Sequence, residues 1–220
     1  MKNIYSVAID GPASSGKSTI SKRLAKELGI VYLSTGSIYR ALGLKCKLLS
    51  LDPKKNETAV IVCESKIECE FDGDQQKIFL DGKDVTNQIG TEEIGGYASF
   101  ISQHKIVREK CVQIQREVAS KQSMVVDGRD ICSVVLPNAK YKFYLDASSE
   151  VRAKRRFEEM QAKGVNMTYA QVLQDIERRD YEDMHRELSP LIKAKDAVVI
   201  DSSNLNIDQV VAKFLEIIRS

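Results

Sequence analysis

Gly11-Pro12-Ala13-Ser14-Ser15-Gly16-Lys17-Ser18 lies between an apolar, β-branched stretch at residues 4–10 and a stretch with helical spacing at residues 17–28. Ile20, Leu24 and Leu28 fall on one stripe of that helix, and Gly29 stops it. A strand, a glycine-bearing loop of the form G-x-x-x-x-G-K-[ST] and a helix, in that order, is the context in which this pattern cradles phosphates. Backbone N–H groups converge on phosphate oxygens, the helix N-terminus adds partial positive charge, and a lysine reaches the outer phosphates. Residues 11–19, Gly11, Pro12, Ala13, Ser14, Ser15, Gly16, Lys17, Ser18 and Thr19, are therefore predicted to bind a nucleoside triphosphate. Ser18 is predicted to ligate Mg²⁺, with Asp127, which closes another apolar strand, holding the magnesium shell through water.

The remaining chain repeats the same rhythm. Short apolar strands are predicted at residues 124–127, 141–146 and 197–201, each ending in aspartate and leading to a loop or helix. Alternating strands and helices imply a parallel sheet covered on both faces, with ligands at the carboxyl ends of its strands. Residues 65–89 break the rhythm. Ile67, Cys69 and Phe71 alternate with Glu68 and Glu70, then come the turn-like Asp72-Gly73-Asp74, a second strand at 77–80 and Asp81-Gly82, the pattern of a small antiparallel insertion. Thr168 with Gln171 forms a capping box for a long helix through Arg186, and Asn206 with Gln209 opens the last helix.

Charge and cysteine usage narrow the class. Lys+Arg 33 against Asp+Glu 31 leaves a net charge of +2, so no global field favours nucleic acid. Five dispersed cysteines without a C-x-x-C pair suit reduced thiols in a cytosol. No apolar run approaches the roughly 20 residues that span a bilayer, and the N-terminus is charged too early for a signal peptide. A soluble, cytoplasmic protein is expected.

A phosphate-binding loop alone does not separate kinases from GTPase switches, motors or helicases. The N-K-x-D guanine signature is absent, and length and charge disfavour a helicase or motor, which leaves the small kinases. Phosphoryl transfer between two anionic groups is mainly alignment and charge neutralisation, so arginine placement discriminates further. Arg152, Arg155 and Arg156 fall at i, i+3 and i+4 of one helix, and Arg179, Asp183 and Arg186 at i, i+4 and i+7 of another. Arg40 and Arg129 lie in or beside the loops 34–37 and 127–130. A phosphate acceptor needs these cations more than it needs a base; a hydroxyl acceptor would need a carboxylate to take its proton. A kinase acting on another small acceptor, and a nucleotide-dependent switch without transfer chemistry, are the alternatives on the residues alone. His104 and His185 carry no triad or metal spacing and read as surface or capping residues.

Five motifs in this order resemble the bacterial cytidylate kinases over essentially the whole chain. They are Ile9-Asp10-Gly11-Pro12 running into the loop, Thr35-Gly36-Ser37-Ile38-Tyr39-Arg40, Asp127-Gly128-Arg129-Asp130, Asp146-Ala147-Ser148-Ser149-Glu150-Val151-Arg152, and Arg179-Asp180 through Asp183 to Arg186. The resemblance implies an α/β three-layer P-loop NTPase fold: a parallel-sheet CORE (1–33, 100–147 and 190–220), a monophosphate-binding region (34–99) carrying the small β insertion, and a helical LID with the following substrate helix (148–189). It implies ATP-dependent transfer to CMP or dCMP, with Mg²⁺ as cofactor and no nucleic-acid or membrane partner, in a monomer. Thr35, Tyr39 and Arg40 resemble residues that seat the acceptor, with Arg40 on its phosphate. Ser99, Arg108 and Asp130 resemble the cytosine readers, in keeping with the exocyclic amino donor that distinguishes cytosine from uracil. Arg129, Arg179 and Arg186 would grip the acceptor phosphate and Asp183 a ribose hydroxyl; Lys17, Arg155 and Arg156 join those arginines in the catalytic set.

Two positions depart from the family's usual pattern. Ser34 stands where aspartate before Thr-Gly is common, an exchange expected to loosen Arg40 or alter sugar preference. Ile131-Cys132-Ser133 replaces Ile-Gly-Thr, and Cys132 beside the active loop is expected to confer sensitivity to thiol reagents.

Overall fold

The computed structural model describes residues 4–73, 75–162 and 164–220. Asp74, part of the predicted turn, lies outside the described residues. The strands are β1 (Ser6–Asp10), β2 (Val31–Ser34), β3 (Ile67–Asp72), β4 (Gln75–Leu80), β5 (Lys83–Asp84), β6 (Met124–Gly128), β7 (Tyr141–Asp146) and β8 (Val198–Asp201). The helices are α1 (Lys17–Leu28), α2 (Thr35–Leu48), α3 (Asn56–Cys63), α4 (Glu92–Ile101), α5 (Lys105–Ala119), α6 (Ser149–Ala162), α7 (Tyr169–His185) and α8 (Ile207–Arg219), with a π turn at Ile131–Val135. A five-stranded parallel sheet runs in the order β2-β6-β1-β7-β8, and β3-β4-β5 form a separate antiparallel sheet. The α/β fold with a parallel core and a small antiparallel insertion is therefore present.

The described residues divide into two compact units, one of residues 4–6, 25–73 and 75–126, the other of residues 7–24, 127–162 and 164–220. In the second unit β1 pairs with β7 in the register Val7↔Tyr141 to Asp10↔Tyr144, and β7 with β8 from Phe143↔Val198 to Asp146↔Asp201. Val7, Ala8, Ile9 and Phe143 are sealed from water, as expected of a strand covered on both faces. Helix α8 starts at the predicted capping box of Asn206 and Gln209 and lays Val210, Phe214 and Ile218 on one buried stripe. The Phe214 ring meets Phe143 with centroids 4.4 Å apart. Each such large apolar side chain contributes about 2 kcal/mol by burial.

Helices α6 and α7 pack as a hairpin around a small cluster of Ala153, Met160, Val172 and Ile176. The predicted box of Thr168 and Gln171 opens α7, which ends at His185; Arg186 is already extended, with φ −63° and ψ 141°.

In the first unit α2 presents Ile38, Ala41, Leu42 and Cys46 inward and packs closely on α4. Gly43 permits that approach, because a Cβ there would lie 2.9 Å from the backbone nitrogen of Ala98. The β3-β4 pair buries Ile67, Ile78 and Leu80 on one face. The expected loop at 34–37 is instead the end of β2 and the first turn of α2. Thr35-Gly36-Ser37, which reads as turn chemistry, is helical because Ile38, Ala41 and Leu42 anchor the following turn in the core.

Candidate functional site

Strand β1 delivers the chain to the loop at Gly11, where φ is +153° and a Cβ would collide with the carbonyl oxygen of Leu145. Only glycine lets the backbone leave the sheet so close to β7. The loop then wraps back to Gly16, at φ +87°, and α1 begins at Lys17. The Lys17 ammonium donates to the carbonyl of Pro12 at 2.6 Å and to Ser15 Oγ at 3.2 Å, so it lies across its own loop. Burial, followed by repulsion from Arg129, pushes Lys17 well below the usual lysine range, against the pull of Asp127, Asp183 and Asp10. A buried ammonium in that condition favours any polyanion that would share its charge.

Ser18 donates its hydroxyl to Asp127 Oδ2 at 2.8 Å, which joins the first turn of α1 to the end of β6. Among the described residues there is no group of three or more His, Cys, Asp or Glu that could hold a metal. One hydroxyl and one carboxylate suit Mg²⁺, which keeps most of its waters and takes its remaining ligands from substrate phosphates.

Asp10, at the end of β1, accepts from the N–H groups of Ile131 and Cys132, both at 2.8 Å. Burial raises its carboxyl above the usual range although those two N–H groups oppose the shift. These bonds pin the π turn and so fix Arg129 and Asp130 just before it. Arg129 Nε donates to Asp183 Oδ2 at 2.6 Å, and Arg186 NH1 lies 3.5 Å from Asp183 Oδ1. Burial alone would raise the Asp183 carboxyl; Arg129, then Arg186 and Lys17, outweigh it and hold the group below the ordinary value. Asp130 is buried.

The second unit thus assembles Lys17, Ser18, Asp127, Arg129, Asp183 and Arg186, but leaves three predicted arginines elsewhere. Arg155 donates to the carbonyl of Ser202 at 2.7 Å, Arg156 bonds Glu159 at 2.8 Å, and Arg179 lies 3.3 Å from Asp175. In the first unit Thr35 is buried at the start of α2, and Arg40 donates to the carbonyls of Ile89 and Thr91, both at 2.8 Å. The guanidinium of Arg108 stands 5.7 Å from the Tyr39 ring centroid and donates to the carbonyl of Ser102 at 3.3 Å. Ser99 is exposed near the end of α4.

Residues 7–220 match the family model for cytidylate kinase. This chain belongs to the cytidylate kinase family. Among curated relatives, the cytidylate kinase of Caldicellulosiruptor saccharolyticus is 48% identical over 99% of this chain and 96% of its own, and that of Lactobacillus gasseri is 47% identical over 98% and 94%. A shikimate kinase structure from Bacteroides thetaiotaomicron aligns over 99% of this chain and 100% of its own, with a TM-score of 0.50 at 11% identity, a likeness of fold.

Within this cytidylate kinase family member, one expectation changes. Cys132 is buried, its thiol lies 3.6 Å from the carbonyl of Phe143, and burial with the nearby Asp10 pushes it far above the ordinary thiol range. It lacks the thiolate and the access that reagent sensitivity requires. Ser34 N–H donates to Gln76 Oε1 at 2.9 Å, so the position of the usual aspartate is braced from β4. Sequence reading also missed the contribution of Asp180 and of Asp10, although both stand inside motifs quoted above. Their roles depend on partners in other elements, Ile131 for Asp10 and both Ala13 and Arg152 for Asp180. Among the described residues no helix is long and apolar enough to cross a membrane.

Proposed function

We propose that this protein transfers the γ-phosphoryl group of ATP to CMP or dCMP, giving ADP and CDP or dCDP. The observation that carries the reading is the cation set of Lys17, Arg129 and Arg186 gathered around Asp183 in a chain of this family. Such a set neutralises the oxygens of two phosphates held end to end, which is most of what this transfer requires.

Residues 11–19 take the triphosphate, and Lys17 exchanges its bonds to Pro12 and Ser15 for the β- and γ-phosphates. Ser18 and, through water, Asp127 would hold Mg²⁺, whose charge would offset that of the phosphates. Arg129, Arg179 and Arg186 bind the acceptor phosphate, with Arg40 assisting, while Asp183 orients a ribose hydroxyl and Thr35 and Tyr39 seat the nucleotide. Ser99 and Asp130 accept from the exocyclic amino group of cytosine, and Arg108 donates to its ring acceptors. Uracil would leave those acceptors facing a carbonyl, a loss of a few kcal/mol that supports the preference for cytosine.

Residues 1–33, 100–147 and 190–220 act as the CORE, 34–99 as the acceptor region, and 148–189 as the LID that excludes water during transfer. Arg155 and Arg156 leave their present partners to meet the transferring phosphates when that closure occurs. The protein acts as a cytoplasmic monomer on small nucleotides, without nucleic acid or membrane.

A coupled ADP-release assay with ATP and Mg²⁺ against CMP, dCMP, UMP, AMP and GMP tests the reading. Turnover with CMP and dCMP well above the other three supports it, and no turnover with any pyrimidine nucleotide ends it.

A further inference from the structure

Arg152 and Asp180 have no part in the roles above, yet both are buried, at 5% and 9% exposure. Arg152 sits in the first turn of α6 and Asp180 in the second half of α7. The arginine engages three partners: Nε donates to the carbonyl of Ala147 at 2.9 Å, NH1 to the carbonyl of Ala13 at 3.0 Å, and NH2 pairs with Asp180 Oδ2 at 2.6 Å. The other carboxylate oxygen, Oδ1, accepts from the N–H of Ala13 at 3.3 Å. One ion pair therefore closes both peptide groups of a single residue in the phosphate-binding loop.

This arrangement does two things for the loop. It fixes the peptide planes at Ala13, immediately before Ser14, whose φ of +58° turns the chain into the cradle. It also places a carboxylate next to a site for a polyanion, which is tolerable only while a guanidinium neutralises it. Lysine in place of Arg152 would keep the charge but lack the fork that reaches three acceptors at once.

The geometry points to Arg152 and Asp180 as positioning residues for the donor nucleotide, a buried pair that holds the loop by Ala13 and ties it to the base of the α6–α7 hairpin. The inference rests on the reading of residues 11–19 as the ATP site. Neither residue touches the reacting atoms.

The test is ATP–Mg²⁺ binding by calorimetry without acceptor, together with KM for ATP, KM for CMP, kcat and Tm, on the wild type and on Arg152→Lys, Arg152→Met, Asp180→Asn and the double variant Arg152→Met with Asp180→Asn. Arg152→Met is expected to weaken ATP by on the order of 10-fold or more while KM for CMP stays within about twofold. Adding Asp180→Asn to it recovers part of the lost ATP affinity, because the unpaired carboxylate is gone. A purely structural pair would lower Tm and the active fraction with both affinities unchanged, or weaken both substrates alike, and either result overturns the proposal. Should Arg152→Met not fold, Arg152→Lys decides: ATP affinity equal to wild type defeats the clamp, and a selective loss sustains it. A wild type that fails to bind ATP refutes the ATP-site reading, whereas a wild type that binds it beside indifferent variants refutes the clamp alone.

Discussion

The hydroxyl of Ser18 rests 2.8 Å from the carboxylate of Asp127. The first turn of α1 and the end of β6 therefore present a serine oxygen and a carboxylate together, in the pairing expected of residues that share one hydrated divalent ion. Replacing Asp127 by Asn keeps an acceptor for Ser18 but removes the charge that orients metal-bound water. The variant should lose about 10-fold to 100-fold in kcat and need more Mg²⁺ for half-maximal rate, as titration of Mg²⁺ at fixed ATP would measure. An unchanged magnesium requirement would dissociate Asp127 from the metal.

Lys17→Met separates turnover from stability. Activity should fall by at least ~10²-fold, since the cation on the transferred phosphoryl group is lost. The ligand-free fold behaves differently, because the folded state holds Lys17 below its ordinary value and so binds fewer protons there than the unfolded chain. The burden of the charged lysine is full below its lowered folded-state value and fades as pH rises from there to the ordinary lysine value. The Tm of Lys17→Met relative to wild type should therefore be most favourable near neutrality and decline toward alkaline pH. A difference that does not vary with pH would remove the argument.

Asp183 shows the opposite sign. Its carboxyl is held below the ordinary value, so its contribution to stability is present above the unfolded-state value and is lost as pH falls through the lower folded-state value. Arg129→Met strips away the first of its cations and leaves burial to act. The variant should be about 1–3 kcal/mol less stable at neutral pH, with the deficit shrinking in acid, by urea denaturation across that range. CMP turnover should fall with it.

Asp130→Ala should reduce the preference for CMP over UMP by on the order of 10²-fold while retaining transfer to both. Competition between the two nucleotides at fixed ATP measures the ratio directly. Selectivity equal to wild type would show that the base is read elsewhere.

Alkylation of the native protein should spare Cys132. Mass spectrometry after iodoacetamide treatment should find any label first on the less buried Cys63, with Cys132 modified only after denaturation. Early loss of activity tracking Cys132 modification would restore the reactivity that its sequence position suggested.

Features written within a few adjacent residues were legible beforehand. The loop at 11–18, the capping boxes of α7 and α8, and the alternation of β3 each depend on neighbours in the chain. Strand β2 went unseen because Val31-Tyr32-Leu33-Ser34 lacks the closing aspartate that marked the other short apolar strands, and its identity comes from the sheet. Gly36 and Ser37 read as a turn because local preference was the available signal, and core anchoring of α2 overrode it. The Arg152–Asp180 pair was out of reach for a different reason. Spacing along α6 showed that Arg152, Arg155 and Arg156 share a helix face, but not that one would be buried against α7 while the others bonded Ser202 and Glu159.

The carboxamide of Gln76 reads Ser34 twice, taking its N–H at 2.9 Å and donating to its carbonyl at 3.4 Å. A side chain from the antiparallel sheet thereby completes the backbone at the junction of β2 and α2. The three short strands are in this respect a splint for the helix that carries Tyr39 and Arg40, and a shortened chain lacking them would inherit a frayed joint at the root of that helix.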